Sequence, residues 1–226
     1  MGHDITLRVS DGHSFDAYRC EPEGEALGGV VVVQEIFGVN DHIRDVTERY
    51  AELGWLAIAP GLYDRWQPSF TASYTPDDIA IGREIKDRAN AEIKKVMLDV
   101  EAARANVAEA GKVGITGFCW GGVVAWLAAC QLDVSAASCY YGGGIINTVD
   151  AKPGCATIMH FGNLDASIPM DEVTTIANAQ PDVSVYVYDA DHGFHCDQRG
   201  QFNPRATNIA AMRTARLFDA NLRGLR

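Results

Sequence analysis

Lys112-Val113-Gly114-Ile115-Thr116-Gly117-Phe118-Cys119-Trp120-Gly121-Gly122-Val123-Val124-Ala125-Trp126-Leu127-Ala128-Ala129-Cys130-Gln131 is the stretch on which the fold turns. Lys112 to Thr116 reads as a short buried strand and Trp120 to Gln131 as an apolar helix, which leaves three residues to reverse the chain between them. Such a sharp strand-to-helix turn crowds its central residue, so the positions two before and two after it must lack side chains. Gly117 and Gly121 stand there, giving Gly-x-Cys-x-Gly with Cys119 at the crest. The turn would hold the sulfur beside a helix N-terminus, whose partial positive charge favours an anion. Taken alone, the motif also suits a buried cysteine among glycines used for close packing.

Outward from this turn, strand-like and helix-like segments alternate. Val30 to Val33 is a β-branched run of the kind buried on both faces of a parallel sheet. Residues 40 to 53 carry helical spacing (Ile43, Val46, Tyr50, Leu53), with Asn40 or Asp41 as N-cap and Gly54 as a stop. Trp55 to Ala59 is a second core strand, closed by Pro60-Gly61, and Tyr63 to Thr75 reads as a long surface loop. Pro76 to Ala110 predicts two helices or one kinked helix. Further strands are expected over Val134 to Tyr141, Ala156 to Phe161 and Val183 to Tyr188, with helices over Asp171 to Ala179 and Pro204 to Leu222. The first twenty residues alternate around Asp11-Gly12 as an antiparallel hairpin. Repeated βα units predict an α/β fold: a mostly parallel central sheet with helices on both faces and sites at the carboxyl ends of the strands. One domain over residues 1–226 is the economical organisation.

Composition narrows the function. Of 226 residues, 47% are apolar and 22% charged, and 19 basic against 30 acidic residues leave a formal charge of −11. That balance argues against nucleic acid and anionic membranes as partners, and no apolar run has the length of a membrane span. The Met1-Gly2-His3-Asp4-Ile5-Thr6 start matches a loose myristoylation pattern without a basic flank or second lipid site. Six cysteines without a Cys-x-x-Cys pair read as reduced, mostly buried thiols, so a cytoplasmic location is expected. A monomer or small homo-oligomer is expected.

Downstream of Cys119, Asp165 comes after one predicted strand and His192 after another. Hydrolases built on such an elbow place nucleophile, acid and histidine along the chain in that order. His192 would take the thiol proton and later activate water, while Asp165 fixes the imidazole tautomer; a turn-forming role for Asp165 is the plain alternative. The oxyanion would be met by the amides of Trp120 and, after the Val30 to Val33 strand, Ile36. A competing arrangement gathers His192, His195 and Cys196 with Asp189 or Asp191 around a metal. It leaves the elbow unexplained. A glutamine amidotransferase places its acid two residues after the histidine, where this chain has Phe194. A non-catalytic sensor or binding module on the same fold is the third alternative.

Gln34-Glu35-Ile36-Phe37-Gly38-Val39-Asn40, Gly117-Phe118-Cys119-Trp120-Gly121-Gly122 and His192-Gly193-Phe194 together resemble the signature segments of the dienelactone hydrolases, the carboxymethylenebutenolidase-type α/β-hydrolases. The resemblance spans nearly the whole chain. It implies a Cys119–Asp165–His192 triad that opens lactones or activated esters through a thioester, without cofactor or metal. It also implies that Glu35 is a regulatory carboxylate holding the resting thiol protonated. The substrates of such enzymes carry a carboxylate gripped by arginines, for which Arg83 is the candidate, with Arg65 or Arg88 as substitutes. A second arginine is expected four residues after the histidine; Cys196 stands there, and Arg199 lies three residues further on.

Overall fold

The computed structural model describes residues 2–223. Its centre is one eight-stranded sheet. The strands are β1 (His3–Arg8), β2 (Ser14–Cys20), β3 (Gly29–Val33), β4 (Leu56–Pro60), β5 (Val113–Phe118), β6 (Ala136–Tyr140), β7 (Ala156–Gly162) and β8 (Ser184–Tyr188). They lie in the order β1-β2-β4-β3-β5-β6-β7-β8. The hairpin β1–β2 joins β4 antiparallel, and every pairing from β4 through β8 is parallel. The expected mostly parallel sheet with an antiparallel N-terminal hairpin is therefore what the chain forms. Because β3 and β5 are buried at every residue, neither shows the alternation of a half-exposed strand.

Among the described residues six α-helices cover the sheet: α1 (Asp41–Glu52), α2 (Pro76–Ala91), α3 (Ile93–Val107), α4 (Trp120–Gln131), α5 (Met170–Ala179) and α6 (Pro204–Leu222). One face carries α1 and α6, which meet where Phe218 packs 5.8 Å from Tyr50 and 6.4 Å from Trp55 between ring centres. The opposite face carries α3 and α4, so α4 is apolar almost all round because sheet and helix enclose it. At α1 the cap is Asn40, whose side chain accepts from the Ile43 amide, and not Asp41. Residues 76–110 resolve into two helices and a short 3-10 turn, the break falling at Glu92. Among the described residues no helix is long and apolar enough to cross a membrane.

The segment from Tyr63 to Thr75 is the loop expected of it, without helix or strand and with every residue after Tyr63 half-buried or exposed, but its start is anchored in the interior. Tyr63 is almost wholly buried and its ring lies 5.1 Å from that of Trp120. Arg65 grips the buried Asp99 carboxylate in a bidentate pair (2.7 Å at both contacts) and reaches Asp11 at 2.9 Å. An aromatic-rich stretch without a period hides such anchoring, because what fixes it are partners distant in sequence.

Candidate active site

Cys119 sits between β5 and α4 with φ 55° and ψ −119°, a left-handed conformation that costs a non-glycine residue of order 1–3 kcal/mol. Its neighbours hold it there: the Cys119 amide donates to the Tyr140 carbonyl at 3.0 Å, and its own carbonyl accepts from Gly122 at 2.9 Å. A Cβ at position 117 would stand 2.0 Å from the Gly121 carbonyl oxygen. One at position 121 would lie 2.4 Å from the Gln34 oxygen. Both glycines are thus required by backbone contact, as the sequence suggested. Gly122 is required too, since a Cβ there would meet the Tyr140 oxygen at 2.5 Å.

Asp165 lies just past β7 and His192 just past β8. The two loops are laced together by the Asn163 amide donating to Tyr188 and the Leu164 amide to Ala190, at 2.9 and 3.0 Å. Gly162 permits this approach, because a Cβ there would stand 2.1 Å from the Ala190 oxygen. His192 Nδ1 then lies 2.6 Å from Asp165 Oδ2, and the Ser167 amide donates to Asp165 Oδ1 at 2.8 Å. The carboxylate is almost fully buried, while the imidazole remains partly open and packs 5.0 Å from the Tyr141 ring. Burial alone would push His192 toward its neutral form. The Cys119 sulfur and the Asp165 carboxylate beside it outweigh burial and raise it to about 10.

Cys119 and His192 line one cavity of about 980 Å³ at the carboxyl edge of the sheet, together with Ile36, Trp120, Arg83 and Arg199. Trp120 opens α4, so its amide has no carbonyl one turn back to bind. Its indole donates to the Asn90 side chain at 2.8 Å. Glu35 is buried at the back of the site, where its Oε1 faces Arg199 Nη1 at 3.4 Å and its Oε2 has no hydrogen-bond partner among the described residues. Arg199 reaches inward because Gly193, at φ 77°, has no side chain where a Cβ would strike the guanidinium at 2.5 Å. The guanidinium lies 5.8 Å from the Phe37 ring and 5.6 Å from the Tyr74 ring. Cys196, in the place where an arginine was expected, donates to the Tyr74 hydroxyl at 3.1 Å.

The structure brings Cys119, Asp165, His192, Glu35, Ile36, Trp120, Arg83 and Arg199 to this one region. Two substitutes for Arg83 fall away: Arg65 is committed to Asp99 and Asp11, and Arg88 does not line the cavity. Lys86, Asn90 and Lys94 line it as well, and sequence reading missed them because exposed polar residues on a charged helix carry no distinguishing pattern. The metal grouping of His192, His195 and Cys196 does not form. The turn at Gly193 sends His195 into a buried aromatic nest, 4.8 Å from the Phe118 ring and 5.1 Å from that of Tyr140, while His192 faces Asp165. Among the described residues the trio whose ligand atoms fall within 4.8 Å of one another is Glu35, His42 and Cys196. There the Arg199 guanidinium already supplies the positive charge beside Glu35.

Comparison with known proteins agrees with this geometry. The model of the dienelactone hydrolase family matches residues 15–222. A Synechocystis protein named "Putative carboxymethylenebutenolidase" is 39% identical over 216 residues, covering 86% of each chain. One of the same name from Salmonella typhimurium is 36% identical over 220 residues, covering 86% of this chain and 78% of its own. The crystal structure of a "Putative Dienelactone Hydrolase" from Klebsiella pneumoniae superposes with a TM-score of 0.83 at 29% identity, covering 97% of this chain and 99% of that one. A Pyrococcus furiosus esterase shares the fold, with a TM-score of 0.70 at 14% identity, covering 98% of this chain and 93% of that one. An elbow over a parallel sheet and a family match across nearly the whole length have one meaning: the chain is a hydrolase with the α/β-hydrolase fold and belongs to the dienelactone hydrolase family.

Proposed function

We propose that the protein opens lactones or activated esters by attack of the Cys119 sulfur on the substrate carbonyl. The observation that carries this reading is the 2.6 Å Asp165–His192 pair facing the same cavity as a cysteine held in a strained turn. His192 Nε2 holds the thiol proton while the carbon–sulfur bond forms, and the imidazolium gives it to the departing alkoxide, leaving a thioester on Cys119. His192 then takes a proton from water, whose oxygen attacks the thioester carbonyl; the carbon–sulfur bond breaks, the acid leaves, and the imidazolium proton is shared again with the freed Cys119 sulfur. Asp165 holds the proton of Nδ1 in place and stabilises the imidazolium. The amides of Trp120 and Ile36 receive the developing oxyanion. No step calls for a metal or cofactor.

Arg83 and Arg199 are the groups that would receive a substrate carboxylate against the −11 background. A carboxylate drawn to Arg199 would compete with Glu35 for the guanidinium, which gives Glu35 its regulatory place. Replacing Cys119 by Ala should abolish turnover of aryl esters and of cis- and trans-dienelactone while ligand binding persists. Retained turnover in Cys119→Ala would overturn the assignment. A faster rate on dienelactones than on neutral esters of similar reactivity, lost in Arg199→Ala, would support the carboxylate grip.

A further inference from the structure

The cavity does not end at Cys119. Trp120, Val123, Leu127 and Gln131 all line it, and their spacing of three, four and four residues puts them on one face of α4. Ile93 and Met97 of α3 form the apolar part of the facing wall, which Lys86, Asn90 and Lys94 complete. The third side is the 3-10 turn Gly143–Thr148, which enters through the glycine run at 142–144. A Cβ on Gly144 would press against the Val123 methyl carbons at 3.2 and 3.5 Å, so glycine there keeps the trough over Val123 open. From Trp120 to Gln131 the helix advances about 16 Å. At 980 Å³ the space stands at the upper end of the roughly 300–1,000 Å³ range of small-molecule pockets, far more than a single small ring fills.

We propose that this trough receives the linear apolar chain of an ester or lactone substrate, running from Cys119 along α4 toward Gln131, with room for roughly ten carbons over its length of about 16 Å. The placement of the carbonyl at Cys119 rests on the hydrolytic reading above; the trough itself does not. Apolar floor and wall residues account for the preference, since each methylene moved from water onto them favours binding by up to about fourfold. The exposed Gln131 and Asn147 mark the far mouth, where the chain meets solvent again.

Two series test this. In the first, Cys119→Ala is titrated calorimetrically with n-alkyl methyl ketones, which need no turnover. Kd should fall about two- to fourfold per methylene and level off near ten carbons. In the second, kcat/KM of the wild-type protein is measured for p-nitrophenyl esters from acetate to dodecanoate. The decanoate-to-acetate ratio should drop about tenfold or more in Gly144→Val, which fills the trough, and in Val123→Asp, which charges its floor. Val123→Asp sits in the first turns of α4, where an acid is tolerated, so it remains informative if Gly144→Val does not fold. A ketone Kd independent of chain length, or ratios unmoved in the folded variant, would overturn the proposal. Chain-dependent ketone binding without any ester turnover would leave the trough standing and remove the hydrolytic reading.

Discussion

Replacing Asp165 by Asn should cost about four orders of magnitude in kcat while leaving the fold in place, and the reason lies in which atom already has a partner. Asp165 Oδ1 accepts the Ser167 amide at 2.8 Å, and Oδ2 accepts from His192 Nδ1 at 2.6 Å. An isosteric amide must keep its oxygen on the Ser167 N–H, since an NH2 group there would set donor against donor. Its own NH2 therefore turns to His192 and forces Nδ1 to act as acceptor. The imidazole proton moves to Nε2, the nitrogen that should accept from Cys119, and the base is held in the wrong tautomer. The carboxylate is almost fully buried, so no bulk water relieves the constraint on it. Loss of the carboxylate also removes one of the two groups holding His192 near 10. A 10⁴-fold loss corresponds to about 5.4 kcal/mol of transition-state stabilisation. Steady-state turnover of an activated aryl ester, with a thermal melt of the same preparation, reads both quantities. A loss below tenfold in a variant with an unchanged melt would refute the tautomer argument.

Groups away from the chemistry carry their own consequences. Arg65→Ala should destabilise the protein by about 3–5 kcal/mol in urea unfolding, because it strands the buried Asp99 carboxylate, and should leave KM unchanged; a raised KM with little loss of stability would return Arg65 to the substrate. Gly121→Ala places a methyl 2.4–2.5 Å from two backbone oxygens and should lower stability by about 1–3 kcal/mol, measured the same way. Insensitivity would mean that the elbow is looser than described. Burial depresses His42, His160 and His195, the last to about 3, so each binds a proton more readily when unfolded. Stability present above pH 6.5 should decline as the pH falls below that value. His195 alone would account for roughly 3 kcal/mol at pH 4.5, well below its unfolded value. A pH-independent melting temperature between 7 and 4.5 would contradict this.

Much of this architecture is legible in the residues. The run Val30 to Val33, the apolar helix after Cys119 and the glycines at 117 and 121 each have one physical solution, and the chain adopts it. Asp165 and His192 were reachable because each stands in the loop after a strand, and parallel strands deliver such loops to a common edge of the sheet. Less was legible where pairing is long-range. Nothing near Arg65 announces Asp99, and nothing near Cys196 announces Tyr74. Arg199 lies seven residues beyond His192, and only the turn at Gly193 folds it back onto Glu35. The same turn separates His192 from His195, so a spacing that would suit metal ligands yields two unrelated environments. Lys86 and Lys94 face the cavity by the packing of α2 and α3, which no local pattern encodes.

Everything chemical here depends on where the acyl group rests between attack and release. Quenching the wild-type protein in acid within milliseconds of mixing with an activated ester, then digesting it for mass spectrometry, locates it directly. The acyl mass should appear on the peptide carrying Cys119 and disappear at the rate of turnover. An acyl group on any other residue, or steady hydrolysis with Cys119 never modified, would contradict the sulfur's role.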